Sequence, residues 1–136
     1  ILWSQLEEFD LIQKKRREIW SFYHENLMDL ERDEYLRRPP CKFDKQDSFH
    51  NYYIIINKKF DRDSILNKLT AKSVQAVSHY EPLHLSEAGE RFSKERIFLP
   101  VTEAVSGWLI RLPFHNYLKS SEQEFVVEVL TSVLKN

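Results

Sequence analysis

The sequence predicts an α+β domain: a small, mostly antiparallel sheet of about three strands flanked by helices. Two patterns lead to this fold class. Apolar residues recur at alternating steps of four and three over residues 2–30, which is the spacing of one helical face. Three shorter apolar and aromatic segments then alternate with further helical segments. Because 136 residues suit one domain, we expect residues 1–136 to fold as a single unit.

A long helix is predicted at the beginning of the chain, over residues 2–30. Its face is formed by Leu2, Leu6, Phe9, Gln13, Arg16, Trp20, Tyr23, Leu27 and Leu30. No Ser, Thr, Asp or Asn precedes Leu2 to cap the helix. We therefore expect a truncated helix that links this domain to a preceding one, with an exposed apolar patch along residues 3–20 where the preceding domain would lie. The alternative is a disordered segment ahead of the helix.

Three strands are predicted in the remainder of the chain. Residues 49–56 are almost continuously apolar and aromatic, which is typical of a strand covered on both faces. Residues 75–80 form the second predicted strand, and residues 108–114 form the third. Ahead of the first strand, Pro39 and Pro40 predict an extended linker over residues 37–40, because proline disfavours helix for the residue before it.

Three further helices are predicted from their capping residues. Asp61 or Asp63 can cap the first of them. Thr102 is expected to cap a short helix. Ser121 and Glu124 have the spacing of a capping box, so we expect a final helix with an apolar face made of Phe125, Val129 and Val133.

Composition and charge exclude several classes of function. A formal net charge of −1 offers no electrostatic attraction to nucleic acid or to an anionic membrane. No apolar run approaches the roughly 20 residues of a membrane span. Gly89 and Gly107 are too few to build a loop that binds nucleotide phosphates. The single cysteine, Cys41, excludes an internal disulfide, and a free thiol predicts a cytoplasmic location.

Few residues have the sequence context that catalysis requires. The five histidines lack the spacing of a metal site. Cys41 follows Pro40 and has no histidine near it in sequence, so we do not expect a catalytic thiol. The lysines lie among polar residues, whereas a Schiff-base lysine is desolvated or held beside another cation. Neither a catalytic residue nor a metal ligand is therefore predicted.

The segment HYEPLH, residues 79–84, is the best candidate for a binding site. It places His79, Tyr80 and His84 at the end of an apolar strand, where Pro82 stops the ladder. Binding groups are common where strands open into loops. Imidazole and phenol can hydrogen-bond hydroxyls and phosphates, and their rings can stack on a sugar or base. A strand end whose polar aromatics are satisfied within the domain is an equally good interpretation of the same residues.

Five segments carry a further pattern: WSQLEEFDLIQKKRREIW (3–20), HNYYI (50–54), AVSHYEPLHLSEAGERF (76–92), LPVTEAVSGWLIRLPFHNYL (99–118) and SSEQEFVVEVL (120–130). In this order, they resemble the DegT/DnrJ/EryC1/StrS family of sugar aminotransferases. The run at residues 79–90 is most similar to the branch of that family that makes a dTDP-linked amino-dideoxygalactose. The resemblance extends over nearly the whole chain.

The resemblance implies the C-terminal small domain of a PLP-dependent transferase of fold type I. An N-terminal large domain, absent from this chain, would hold PLP, its Schiff-base lysine and most of the phosphate site in a homodimer. The implied reaction moves an amino group from L-glutamate to a dTDP-4-keto-6-deoxyhexose. His79 and Tyr80 are then expected to position the substrate, with His84 and His50 as further candidates. The chain alone is expected to bind no PLP and to be inactive.

Two alternatives stay open at this point. One is a free-standing, non-catalytic α+β module that binds or regulates, which would need its own helix cap. The other is a small independent enzyme that uses Cys41 or a histidine, and alkylation of the thiol would abolish its activity.

Overall fold

The N-terminal part of the chain is helical, and the remaining helices alternate with short strands. The structure, a computed structural model, describes residues 2–40, 48–93, 95 and 97–136. Within these ranges the α-helices are α1 (Leu2–Glu7), α2 (Phe9–Asn26), α3 (Met28–Arg32), α4 (Arg62–Ala71), α5 (Glu87–Phe92), α6 (Pro100–Trp108) and α7 (Ser120–Lys135). A 3₁₀ turn, Leu83–Leu85, precedes α5. None of the described helices combines the length and the apolar character needed to cross a membrane.

The strands of the described ranges form one antiparallel sheet. They are β1 (Leu36–Arg37), β2 (Tyr53–Ile56), β3 (Val77–Ser78) and β4 (Leu109–Arg111), in the spatial order β1-β2-β4-β3. Each neighbouring pair is antiparallel. The predicted α+β class is confirmed. The strand beyond the three predicted ones is β1. It includes Arg37, the first residue of the predicted linker, which pairs with Ile55 of β2.

The strands are shorter than the predicted segments. Phe49 has φ of 41°, a left-handed conformation that does not fit a strand, so β2 begins only at Tyr53. Ile54 and Ile56 are buried, whereas Ile55 is half-buried, so β2 is fully covered on one face and not on both. β3 consists of only two residues, and β4 begins after Trp108, which ends α6.

The predicted helix over residues 2–30 is instead three helices separated by single residues. Glu8 and Leu27 adopt φ of −95° and −99° with ψ of 11° and 6°, which lies outside the regular helical region. Helical hydrogen bonding continues on both sides of Leu27, because Leu27 N–H donates to the Tyr23 carbonyl and Glu31 N–H donates to the Leu27 carbonyl. At Glu8, the carbonyl accepts the Ile12 N–H at the start of α2.

The apolar face predicted over residues 2–30 is exposed at its N-terminal end and buried further along. Trp3 and Leu6 are 73% and 58% exposed, and Phe9 is also more than half exposed. From Ile19 onward the face is part of the core. The exposed patch expected on the N-terminal helix is thus present over its first three turns.

The core lies between one face of the sheet and helices α2, α4 and α7. Its most deeply buried side chains include Tyr23, Leu27, Leu30, Tyr52, Ile54, Leu69, Ile110 and Leu130. Burying each such side chain contributes about 1.5–3 kcal/mol relative to exposure. The Tyr23 hydroxyl donates a hydrogen bond of 2.9 Å to the Pro113 carbonyl, which ties α2 to the residues after β4. Burial also raises the pKa of the Tyr23 hydroxyl, so it remains a donor.

The starts of α4 and α6 follow ordinary capping chemistry. Asp61, and not Asp63, caps α4, because its carboxylate accepts the backbone N–H groups of Asp63 and Ser64 at 3.2 and 3.3 Å. The prediction that Thr102 caps a helix is wrong, because Thr102 lies inside α6. α6 begins at Pro100, whose fixed φ suits the first helical position and whose missing N–H costs nothing there.

α7 begins earlier than the predicted capping box at Ser121 and Glu124. Lys119 is the N-cap residue, and the Glu122 carboxylate accepts its backbone N–H at 2.7 Å. Phe125 of the predicted apolar face is 45% exposed. The rest of the predicted apolar face is buried, together with its neighbours: Val126, Val129, Leu130, Val133 and Leu134.

Candidate functional site

The HYEPLH segment leaves the sheet at the end of β3 and turns sharply into the 3₁₀ turn and α5. The Ser86 side chain caps α5 by accepting the Gly89 N–H at 3.0 Å. Gly89 approaches the 3₁₀ turn so closely that a Cβ atom would collide with the Leu83 carbonyl oxygen. The glycine therefore allows a close backbone contact between α5 and the 3₁₀ turn that follows residues 79–82.

His79 and Tyr80 project into solvent as a pair of rings. Their ring centroids lie 5.0 Å apart in an edge-on arrangement, and Tyr80 is 78% exposed. Within the described part of the chain, neither side chain makes a hydrogen bond. Two adjacent polar aromatics whose hydrogen-bonding groups are unused in the domain are available to a ligand.

His84 lies in the same segment, but its ring is engaged within the domain. Its Nε2 lies 3.0 Å from Glu103 Oε1, and its side chain is only 7% exposed. The same carboxylate oxygen accepts the Leu99 backbone N–H at 3.0 Å at the start of α6. The His84–Glu103 contact therefore holds the 3₁₀ turn against α6 and stabilises the segment that carries His79 and Tyr80.

His50 lies at the other end of the sheet. Tyr53 of β2 and Val77 of β3 both oppose Arg111 of β4, so β2 and β3 run in the same direction on either side of β4. His50 precedes β2, whereas His79 follows β3, so the two histidines lie toward opposite ends of β4. The structure therefore does not bring His50 together with the HYEPLH segment.

Both ring nitrogens of His50 are hydrogen-bonded to neighbours in the chain. Nδ1 lies 2.8 Å from Ser48 Oγ, and Nε2 lies 2.9 Å from Asn51 Nδ2. His50 would have to exchange one of these partners before it could hydrogen-bond a ligand. This geometry distinguishes His50 from His79, which the sequence pattern could not do.

The residues that follow Tyr80 expose an unusual amount of apolar surface. Large side chains that are at least 70% exposed occur on the 3₁₀ turn, on α5, ahead of α6 and on α6: Leu83, Phe92, Phe98 and Val101. Exposed apolar surface beside polar groups is typical of a surface that contacts another protein part or a ligand. The candidate site is thus formed by His79 and Tyr80, and the segments that follow them in the chain add exposed apolar side chains.

The described residues do not fit a site for a Schiff-base amine or a metal ion. Lys15 is half-buried on α2, and the other described lysines are exposed: Lys14, Lys58, Lys59, Lys68, Lys72, Lys119 and Lys135. An amine that reacts as a nucleophile at neutral pH is usually desolvated. No cluster of three possible metal ligands occurs among the described residues. Cys41 lies outside them.

Sequence analysis missed Glu103, the partner that holds His84. Its position offered a signal, because a glutamate three residues after Pro100 is placed to accept a backbone N–H at a helix start. Nothing in the sequence indicates that the same carboxylate also meets an imidazole 19 residues earlier.

The fold is shared with solved aminotransferases. The chain has 26% identity and a TM-score of 0.79 with a DegT DnrJ EryC1 StrS aminotransferase from Brucella abortus, over 97% of this chain and 34% of that one. With the aminotransferase TlmJ from Streptoalloteichus hindustanus, the identity is 26% and the TM-score is 0.83, and the match covers 97% of this chain and 34% of TlmJ. With Helicobacter pylori PseC, an aminotransferase involved in pseudoaminic acid biosynthesis, the identity is 24% and the TM-score is 0.87, and the match covers 97% of this chain and 35% of PseC.

The sequence gives the same result at the level of the family. Residues 1–131 match the sequence profile of the DegT/DnrJ/EryC1/StrS aminotransferase family, and the chain belongs to this family. A curated relative, the uncharacterized protein MJ1066 of Methanocaldococcus jannaschii, is 28% identical over 135 residues, which cover 96% of this chain and 33% of MJ1066. The chain spans about a third of the length of the relatives it matches.

Proposed function

We propose that this chain is the small domain of a PLP-dependent sugar-nucleotide aminotransferase, and that it contributes one wall of the substrate pocket. The observation that carries the proposal is the exposed His79–Tyr80 pair at the end of β3, in a chain that belongs to an aminotransferase family. A large domain would supply PLP and its lysine, and would cover the apolar surface next to Tyr80. We further propose that the exposed side chains of Trp3, Leu6 and Phe9 contact that large domain.

The proposed substrates are L-glutamate and a dTDP-4-keto-6-deoxyhexose, and the proposed enzyme resembles dTDP-4-amino-4,6-dideoxygalactose transaminase. The run at residues 79–90 supports this branch. PLP, when bound, would supply the electron sink for amino transfer. The part of this chain would be binding and orientation, because an imidazole and a phenol can hydrogen-bond sugar hydroxyls or phosphates while their rings pack on the sugar or base.

We propose different roles for the four candidate residues. His79 and Tyr80 would contact the substrate directly, since their polar atoms are unused in the domain. His84 would act as a positioning residue through its contact with Glu103. His50 would contribute least, because its ring nitrogens are already paired and it lies toward the far end of β4.

Kinetics of the complete aminotransferase that contains this chain would test the proposal. His79→Ala should lower kcat/KM by about tenfold or more, because a hydrogen bond to the substrate is lost. Tyr80→Phe should act in the same direction, while the visible absorbance of bound PLP stays unchanged. Lys72→Ala is the control, since Lys72 is an exposed residue at the C-terminal end of α4. Unchanged kinetic constants for both His79→Ala and Tyr80→Phe would contradict the proposed site.

A further inference from the structure

A cavity with a volume of about 260 Å³ lies away from the HYEPLH segment. Helix α2, the residues before β2 and the residues after β4 line it: Arg16, His50, Phe114, His115, Asn116 and Tyr117. Three separate parts of the chain thus meet at one cavity, which we name the Arg16 cavity. None of its lining residues is acidic, and Arg16 carries a permanent positive charge.

Arg16 is an unusual residue at its position on α2. It lies on the otherwise mostly apolar face of the helix and is half-buried. Its Nε donates a hydrogen bond of 3.3 Å to Asn116 Oδ1, which fixes the guanidinium relative to the segment after β4. Among the described residues no carboxylate pairs with Arg16, and its neighbours one turn away on α2 are uncharged: Ile12, Gln13, Ile19 and Trp20. A partly buried cation without a counter-ion is costly, so an anion at this place would be favourable.

Gln13 supplies a second observation on the same helical face. It precedes Arg16 by three residues, and its side-chain oxygen Oε1 is buried without a hydrogen-bond partner in the described structure. Buried polar atoms are normally hydrogen-bonded, so the unpaired Gln13 Oε1 indicates that a partner outside the described residues binds there. Gln13 and Arg16 are also the two polar interruptions of the stripe over residues 2–30.

The free polar atoms of the Arg16 cavity are mainly donors. Because Asn116 Oδ1 accepts from Arg16, the Asn116 Nδ2 group is left to donate. His115 and Tyr117, both exposed, can add a ring N–H and a hydroxyl at the rim. Both nitrogens of His50 are paired with Ser48 and Asn51, so His50 contributes the surface of its ring. Several donors around one guanidinium match an oxyanion.

We propose that the Arg16 cavity binds an oxyanion, either a phosphate or a carboxylate group of a small ligand, with Arg16 as the principal contact and Asn116 as the residue that orients it. The cavity and the His79–Tyr80 pair lie toward opposite ends of β4, so this proposal does not depend on the proposed function. A ligand bound here would bridge α2 and the segment after β4, the two elements that the Tyr23–Pro113 hydrogen bond also joins.

Titration of the 136-residue chain with inorganic phosphate, and separately with acetate, would test the proposal. Chemical shifts of the Arg16 Nε–H and Asn116 Nδ2 groups would be followed by NMR, with sodium chloride at matched ionic strength as reference. Saturating shifts with a Kd of about 10 mM or tighter are expected for at least one probe. Saturation by phosphate alone assigns a phosphate ligand, and saturation by acetate alone assigns a carboxylate.

Substitutions then identify the binding group. Arg16→Gln should weaken binding by about tenfold or more, and Arg16→Lys by less, because lysine keeps the charge and loses the planar pair of donors. Lys14→Gln removes a positive charge from the exposed side of the same helix and should leave the Kd unchanged. Circular dichroism would establish that each variant is folded. If Arg16→Gln does not fold, Asn116→Ala takes its place, and a several-fold weaker affinity is expected.

Two results would overturn the proposal. One is the absence of saturation with both probes, or shifts that sodium chloride reproduces at the same ionic strength. The other is an affinity in a folded Arg16→Gln or Asn116→Ala variant equal to that of the unchanged chain.

Discussion

Replacing Glu31 by glutamine should weaken the domain more than its partly exposed position indicates. The Glu31 carboxylate accepts two hydrogen bonds from Arg38, from the backbone N–H at 2.8 Å and from Nε at 2.7 Å, and forms an ion pair with Nη2 at 2.7 Å. The Arg38 side chain is only 12% exposed and also donates to the His24 carbonyl oxygen. In the Glu31→Gln variant this guanidinium loses its counter-ion and faces an amide group that is partly a donor.

The expected loss can be worked from these contacts. Charge-assisted hydrogen bonds contribute about 1.5–3 kcal/mol each when broken, but the 34% exposure of the Glu31 side chain lets water replace part of the loss. A net loss of about 2 kcal/mol is therefore expected. With an unfolding entropy of about 2.1 cal/mol/K per residue, a chain of 136 residues should lose about 7 °C in Tm.

Asp29→Asn is the matched control for Glu31→Gln, because it removes one carboxylate from the same helix α3. Asp29 pairs with Arg32 at 2.9 Å, but the two side chains are 70% and 69% exposed. An exposed pair of this kind contributes about 0–1 kcal/mol, so Asp29→Asn should shift Tm by no more than about 3.5 °C. Thermal unfolding followed by circular dichroism at pH 7 would measure both variants.

The effect of Glu31→Gln should also depend on pH. Burial raises the pKa of Glu31, but hydrogen bonds from the backbone and side chain of Arg38, together with its charge, outweigh this and lower the pKa below 4.5. A group with a lower pKa in the folded state stabilises the fold above its unfolded pKa and loses that effect as the pH falls through its folded pKa. The difference between the variant and the unchanged chain should therefore shrink below about pH 4.5. Equal Tm losses for Glu31→Gln and Asp29→Asn at pH 7 would refute the reasoning.

Three further predictions concern stability and can be measured by urea unfolding. Asp61→Ala should cost about 1 kcal/mol through loss of the α4 cap, whereas Asp61→Asn should cost only a few tenths, and equal losses would argue against capping. Leu130→Ala should cost about 2–5 kcal/mol because Leu130 is fully buried, and Phe125→Ala on the same helix should cost clearly less. Burial and the charge of Arg38 lower the pKa of His24, against opposing effects of Glu31 and Glu25. The contribution of His24 to folding stability is therefore present above the ordinary pKa of 6.5 and should decline as the pH falls below it. A chain equally stable at pH 7 and pH 5 would contradict this prediction.

Much of the candidate site could be named from the sequence, but its division into used and unused groups could not. The HYEPLH pattern indicated polar aromatics at a strand end, and His79 and Tyr80 do project from the end of β3. His84 was a further candidate in the same run, and the structure pairs its ring with Glu103. A sequence pattern reports residue type and spacing, whereas a hydrogen bond depends on the three-dimensional position of a partner that is remote in the chain.

The sequence by itself determined the fold class, the family, the N-terminal helical face and the Asp61 cap. These features follow from local periodicity, from single-residue chemistry and from motifs in a fixed order, all of which the chain carries before it folds. The same local patterns set strand and helix bounds only loosely, as the short β3 and the Pro100 start of α6 illustrate.

Tertiary structure alone decided the register of the sheet and the long-range pairs. It joined Arg16 to Asn116 across 100 positions of sequence and Tyr23 to Pro113 across 90. It also separated His50 from His79, by placing β2 and β3 on either side of β4. Such choices depend on which arrangement buries the apolar faces while satisfying the most polar groups, and that balance is a property of the whole packed domain.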